Sequence, residues 1–178
     1  GVLEKDVNLN VAKFLQSDLE QQGIQVVMTR EEDKGLYSEN ASNKKREDLA
    51  NRIGVITDTA PDFVICIHQN SFTDPMYKGA QVFYYKDSEE GARLASAIQE
   101  QLIAGVDPSN TRVAKSNMNY YMLKHSPAPM VIVECGFLTN TEEEALLGQE
   151  DYQRKLAWNI YLGIMQYLNS SGDTDAAA

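Results

Sequence analysis

Two short and nearly uninterrupted apolar segments constrain the fold of this chain more than any other feature. They are "FVICIH", residues 63–68, and "PMVIV", residues 129–133. A continuous apolar run of this length is typical of a parallel strand that is covered on both faces. Each segment is bounded by polar sequence, and amphipathic helical patterns lie between and around them. The segments therefore predict strands of a sheet that is packed between layers of helices.

Helical periodicity supports this arrangement along most of the chain. Val7, Val11, Leu15 and Leu19 recur four residues apart and predict a first helix, which Gly23 ends. Similar patterns predict helices near residues 46–58, 88–105, 141–148 and 150–168, and shorter apolar runs predict strands over residues 24–29, 80–85 and 120–125. Because strands alternate with helices, the sequence predicts the α/β class with a mostly parallel sheet.

Length and charge narrow the classes of protein that fit. The 178 residues suit one domain, which we place at residues 1–168, and the polar tail at residues 169–178 is predicted to be disordered. The net charge of -10 argues against a nucleic-acid partner, because phosphate binding needs clustered Lys and Arg. No run of about 18 apolar residues is present, so no membrane span is predicted. Cys66 and Cys135 match no zinc or redox spacing and are predicted to be small core residues.

Two of the predicted strands end on residues that can carry chemistry, His68 and Glu134. Sites in parallel sheets lie beyond the carboxyl ends of the strands. A carboxylate that closes an apolar run is costly to bury unless it is paired, protonated or bound to a metal. Glu4, at the start of the first helix, adds a second acid. Imidazole and carboxylate groups are zinc ligands, so His68 and Glu4 are candidate ligands and Glu134 is the candidate general base.

Each of these residues also has a purely structural interpretation. His68 fits an ordinary hydrogen-bonded histidine, Glu4 a carboxylate favoured by the helix dipole, and Glu134 a buried partner of Lys or Arg. The second histidine of the chain, His125, is either a third ligand or a loop residue. A zinc hydrolase usually needs three protein ligands, so the residues alone leave the ligand set open.

At these residues the chain resembles a known family. The segments that carry the resemblance are "EKDVNLNVAKFL", "VVMTREED", "LANR", "ICIHQNS", "GAQVFY", "YYMLKH" and "VIVECGFLTN". In this order, from Glu4 to about Leu168, they are similar to the zinc-dependent N-acetylmuramoyl-L-alanine amidases of the type-3 group, which cut bacterial peptidoglycan. "VLEKD", "VVMTREED" and "MLKH" resemble the sporulation branch, which acts on cortex peptidoglycan during muramic-lactam formation.

The resemblance implies a sheet of about six strands with helices on both faces. It also implies one Zn²⁺ ion and hydrolysis of the amide between N-acetylmuramic acid and L-alanine. Carried over to this sequence, Glu4 and His68 are zinc ligands and Glu134 is the catalytic base and acid. In the family, another zinc-binding histidine ends a strand in a "DPGHGG"-like motif before the first helix. No such segment precedes Glu4, and we expect it upstream of Gly1 in the full-length protein.

The resemblance also implies partners and a location. The substrate would be peptidoglycan, so the protein is expected outside the cytoplasm, as a secreted, cell-wall or spore-envelope enzyme. That expectation comes from the substrate and not from a visible export signal. The sequence does not identify a protein regulator. The alternative is a catalytically incomplete domain of the same fold, which binds peptidoglycan or regulates an active partner.

Overall fold

The computed structural model describes the backbone of residues 1–175 and the side chains of residues 1–170. This part of the chain contains six helices and four strands, which confirms the α/β class. In chain order they are α1 (Glu4–Glu20), α2 (Lys44–Thr59), β1 (Val64–Asn70), β2 (Gln81–Tyr85), α3 (Glu89–Gly105), β3 (Lys115–Asn117), α4 (Tyr121–His125), β4 (Met130–Phe137), α5 (Thr141–Leu147) and α6 (Glu150–Asp175).

The sheet is mostly parallel, as predicted, and has the strand order β1-β4-β2-β3. β1 pairs with β4 and β2 with β3 in parallel, whereas β2 and β4 are antiparallel. The family resemblance predicts about six strands, and the described residues form four. β4 lies inside the sheet, and all eight of its residues are buried.

Alternate residues of β4 face two helical layers. Val131 and Val133 belong to the larger core, which α1, α3 and α6 cover, while Met130 and Ile132 belong to a smaller core under α2 and α4. α3 and α6 pack closely because Gly163 has no side chain: a Cβ there would lie 2.5 Å from the Cα of Ile98. Helices therefore lie on both faces of the sheet, as expected.

Two segments predicted as strands adopt other structures. Residues 24–29 form no strand in the described part of the chain, although Ile24 and Val26 pack against the larger core. A strand needs a hydrogen-bonded neighbour, and an apolar run does not supply one. In the segment 120–125, Tyr121–His125 form the short helix α4, because the adjacent side chains of Met122 and Leu123 are both buried, which fits a helical turn better than a strand.

The remaining expectations have mixed outcomes. Gly23 follows the first helix with a φ of 77°. α6 continues to Asp175, beyond the predicted start of the tail, and residues 176–178 lie outside the described residues. The two cysteines are free thiols. None of the helices in the described residues has the length and apolar character that crossing a bilayer requires.

Candidate metal and catalytic site

The pairing of β1 with β4 places His68 directly beside Glu134. Both residues lie within their strands, because β1 continues to Asn70 and β4 to Phe137, so the predicted strand ends were early. An irregularity in the pairing falls between His68 and Asn70, just beyond the pair. Backbone hydrogen bonding between parallel neighbours thus fixes the spacing of the imidazole and the carboxylate.

Glu4 reaches the same place from the first turn of α1. Its Oε1 lies 2.9 Å from the Nδ1 of His68, and both side chains are about half exposed. Oε1 also accepts a hydrogen bond from the backbone N–H of Gln69 at 3.2 Å. The hydrogen bond with His68 is the main reason that the pKa of Glu4 is lowered. The structure therefore brings the two predicted ligands together, although their metal role stays a prediction.

The surroundings of His68 favour positive charge. Burial works against the protonated imidazole, but the contacts with Cys66 and Glu4 and the charge of Glu134 raise the pKa of His68 to about 11. Two carboxylates thus converge on one imidazole at the sheet surface. They stabilise the protonated, cationic form of the imidazole.

Glu134 is buried and incompletely satisfied. Glu134 is 8% exposed, and its Oε2 has no hydrogen-bond partner. Burial raises the pKa of Glu134, the nearby charge of His68 lowers it, and Glu4 adds to the rise. Within the described part of the chain no Lys or Arg pairs with Glu134, so the structure gives no support to the interpretation as a buried ion pair.

The donor set fits a zinc ion in part. Two ligand atoms of one tetrahedral zinc ion lie roughly 3.3 Å apart, and the Nδ1 of His68 and Oε1 of Glu4 are separated by 2.9 Å. The unpartnered Oε2 of Glu134 beside them suits a group that receives a proton from bound water. Among the described residues, however, no three His, Cys, Asp or Glu side chains are grouped closely enough to hold a metal.

The second histidine does not complete the set. His125 lies at the end of α4, where its ring contacts that of Tyr121 in a tilted arrangement, with the centroids 4.3 Å apart and the planes at 37°. It does not join Glu4 and His68 in a metal-binding group of the described residues. The structural interpretation of His125, as a residue outside the site, is therefore the one that the contacts favour.

Sequence reasoning missed two polar neighbours of the site. Asn8 donates to Oε1 of Glu4 at 3.3 Å, and its own oxygen accepts from Gln69 Nε2 at 3.1 Å. The spacing of four residues between Glu4 and Asn8 is a signal that could have found the first contact, because such residues share a helix face. Nothing in the sequence indicated that Gln69 would reach Asn8 from the strand.

Comparisons with known proteins agree with this fold. Residues 1–166 match the family model Amidase_3, N-acetylmuramoyl-L-alanine amidase. The chain is 38% identical to the germination-specific N-acetylmuramoyl-L-alanine amidase of Bacillus subtilis (strain 168) over 175 residues, which cover 97% of this chain and 73% of the relative. It is 30% identical to the amidase LytC of the same organism, covering 94% of this chain and 32% of that protein.

Solved structures give the same result. The fold is similar to that of the CwlD amidase from Clostridioides difficile, solved in complex with the GerS lipoprotein, with a TM-score of 0.93 and 40% identity over 96% of this chain and 88% of that chain. An N-acetylmuramoyl-L-alanine amidase from Clostridium difficile 630 gives a TM-score of 0.82 and 30% identity over 95% and 86% of the two chains. The predicted family is thus confirmed: the chain belongs to the Amidase_3 family of N-acetylmuramoyl-L-alanine amidases.

Proposed function

We propose that this protein is a zinc-dependent hydrolase that cleaves the amide between N-acetylmuramic acid and L-alanine in bacterial peptidoglycan. Membership of the amidase family supports the reaction. The observation that carries the assignment of residues is the buried, unpartnered Oε2 of Glu134, held beside His68 by strand pairing. A buried polar atom without a partner is costly, and a role in chemistry accounts for it.

Glu4 and His68 would hold the zinc ion, because they are the adjacent carboxylate and imidazole of the described residues. When bound, zinc would polarise the scissile carbonyl and lower the pKa of a bound water to about 7. The half-exposed positions of Glu4 and His68 leave room for the substrate to approach.

Glu134 would handle the protons of the reaction. Its free Oε2 would accept a proton as the water oxygen attacks the carbonyl carbon of the lactyl group. The carbon–nitrogen bond then breaks, and Glu134 returns the proton to the departing nitrogen of L-alanine. Water is consumed, and the products are a lactyl carboxylate and a peptide with a free amino terminus. Because the same carboxyl group first accepts and then donates, no other acid is required.

The relatives support a narrower setting for this activity. The chain is similar to a germination-specific amidase of Bacillus subtilis and to the CwlD amidase of Clostridioides difficile. We propose that its substrate is spore-cortex peptidoglycan, where cleavage at this bond precedes muramic-lactam formation. The protein would then act outside the cytoplasm.

The test uses the full-length protein with purified peptidoglycan and compares its two histidines. We expect the parent to bind about one zinc ion per chain and to release peptides with a free L-alanine amino terminus, without new reducing sugar ends. His68→Ala should lose both zinc and cleavage. The matched control His125→Ala should keep both, because His125 contacts Tyr121 and not the site. Peptidoglycan binding by a parent that neither holds zinc nor cleaves would instead establish the catalytically incomplete domain.

A further inference from the structure

Two successive side-chain hydrogen bonds connect Gln69, on β1, to the Glu4 carboxylate. Gln69 Nε2 donates to Asn8 Oδ1 at 3.1 Å, and Asn8 Nδ2 donates to Glu4 Oε1 at 3.3 Å. Gln69 is 6% exposed and Asn8 is half-buried, so these two hydrogen bonds are partly shielded from water. The connection joins the strand that carries His68 to the helix that carries Glu4.

The contacts on Glu4 are unevenly divided between its two oxygens. His68 Nδ1, the backbone N–H of Gln69 and the amide of Asn8 all lie within 3.3 Å of Oε1. Oε2 accepts no hydrogen bond from any residue that the structure describes. The terminal torsion of a glutamate is broad, so a carboxylate on a helix surface rotates unless neighbours restrain it. The backbone N–H of Gln69 and the amide of Asn8 restrict this rotation and hold Oε1 beside the Nδ1 of His68.

We propose that Asn8 is a positioning residue, which orients the Glu4 carboxylate for the metal, and that Gln69 holds Asn8 in place. The inference rests on the proposed function, because it assigns Asn8 a purpose only if Glu4 is a zinc ligand. Partners of this kind, one contact removed from the metal, fix the orientation of a ligand before the metal arrives. Asn8 does not touch substrate or metal in this role and acts through Glu4.

Helix stability does not explain Asn8. Asparagine is a poorer helix former than alanine inside a helix, and α1 extends from Glu4 to Glu20 on both sides of Asn8. The hydrogen bonds of the Asn8 amide go to Glu4 and Gln69 and not to a helix end. Replacement by alanine should therefore leave α1 intact and affect mainly the carboxylate.

The experiment measures zinc affinity of the full-length protein by competition with a chelating indicator at fixed pH. Asn8→Ala should bind zinc about 10- to 100-fold more weakly than the parent. The matched control is Asn10→Ala on the same helix, whose amide donates to Gln153 in α6 at 3.1 Å and not to the site. Its zinc affinity should match that of the parent. Asn8→Ala also removes the acceptor of the buried Gln69 amide, so its zinc-free form should unfold at a somewhat lower temperature, and affinities are compared at a temperature at which both proteins are folded.

A second variant covers the case in which Asn8→Ala does not fold. Gln69→Met removes the donor to Asn8 but keeps the backbone N–H on Glu4, and it also removes the Oε1 atom of Gln69, which is buried without a partner. It should fold and show a smaller, severalfold loss of zinc affinity.

The possible results distinguish a failure of the positioning role of Asn8 from a failure of the proposed function. If the parent binds zinc and Asn8→Ala binds it equally well, the positioning role is wrong and the proposed function stands. If Asn8→Ala and Asn10→Ala lose affinity equally, the effect belongs to the helix and the inference is overturned. If the parent itself binds no zinc, both proposals fail.

Discussion

Two glutamates of this molecule are equally buried but differ in the hydrogen bonds that their carboxylate oxygens accept. Glu134 in β4 and Glu143 in α5 are each 8% exposed, and burial raises the pKa of both. The two oxygens of Glu143 accept hydrogen bonds from the backbone N–H groups of Gly79 at 2.9 Å and Phe137 at 2.7 Å. The Oε2 of Glu134 accepts none.

The comparison teaches that burial of an acid does not by itself mark a reactive site. Glu143 closes the loop between β1 and β2 onto the end of β4, and its own backbone N–H is capped by Asn140. Its carboxylate accepts hydrogen bonds from backbone N–H groups that would otherwise lack partners. Glu134 has a free oxygen beside an imidazole, which is what an acid needs in order to exchange protons with a substrate.

The largest expected effect separates the two acids by activity. Glu134→Gln should lower the cleavage rate by about 10²- to 10⁴-fold, because the amide cannot accept the proton of the attacking water. Zinc content and the urea midpoint should stay close to those of the parent, because glutamine keeps the shape of the side chain and Oε2 of Glu134 has no hydrogen bond to lose. Initial rates of peptide release measure the effect. A variant that cleaved at the parent rate would remove Glu134 from the reaction.

The next effect separates them by stability. Glu143→Ala should lower the free energy of unfolding by roughly 2–4 kcal/mol, because the N–H groups of Gly79 and Phe137 would lose their acceptor. The control is Glu142→Ala on the same helix, whose side chain is 81% exposed and whose replacement should change the free energy by less than about 0.5 kcal/mol. Urea unfolding measures both. Equal effects of the two substitutions would contradict the structural role of Glu143.

The smallest effect concerns a third, fully partnered carboxylate and depends on pH. Burial opposes ionisation of Asp48, but hydrogen bonds from Arg52 and from the backbone N–H of Leu36 outweigh it and lower the pKa of Asp48. A lowered folded-state pKa contributes stability above the unfolded-state value, and this contribution is lost as pH falls through the folded-state pKa. Asp48→Asn should therefore cost about 1–2 kcal/mol at pH 7.

The difference between the parent and Asp48→Asn should shrink progressively as the pH falls below about 4, near the unfolded-state pKa of an aspartate. Urea midpoints at neutral and acidic pH measure it. A difference that grew on acidification would reverse the sign expected for Asp48.

The sequence predicted the parts of this comparison that depend on local pattern. Apolar residues at helical spacing predicted the main helices, and the continuous apolar runs predicted β1 and β4, which carry His68 and Glu134. The end of β1 was placed early because polar residues continue the strand: Gln69 lies at the irregularity, and Asn70 pairs with Phe137 of β4. Such pairing depends on a neighbour that is distant in the chain, which composition does not reveal.

The same reason explains the other differences. Residues 24–29 have strand-like composition but pair with no strand among the described residues, and residues 121–125 follow the tertiary packing of Met122 and Leu123. The sequence also did not indicate that Glu143 would accept backbone hydrogen bonds while Oε2 of Glu134 would accept none. Which buried acid receives backbone donors is decided by the loop that ends at Gly79, far from Glu143 in sequence.

The pairing of His68 with Glu134 has a consequence for how the chain tolerates changes in length. Successive side chains of a strand point to opposite faces, so one residue inserted between Val64 and His68 would turn the imidazole toward the α1 layer and away from the carboxylate. Insertions after Asn70 fall in the loop and leave that alignment untouched. Segment length in β1 and β4 is therefore a chemical constraint, whereas the start of the loop after β1 tolerates a change in length.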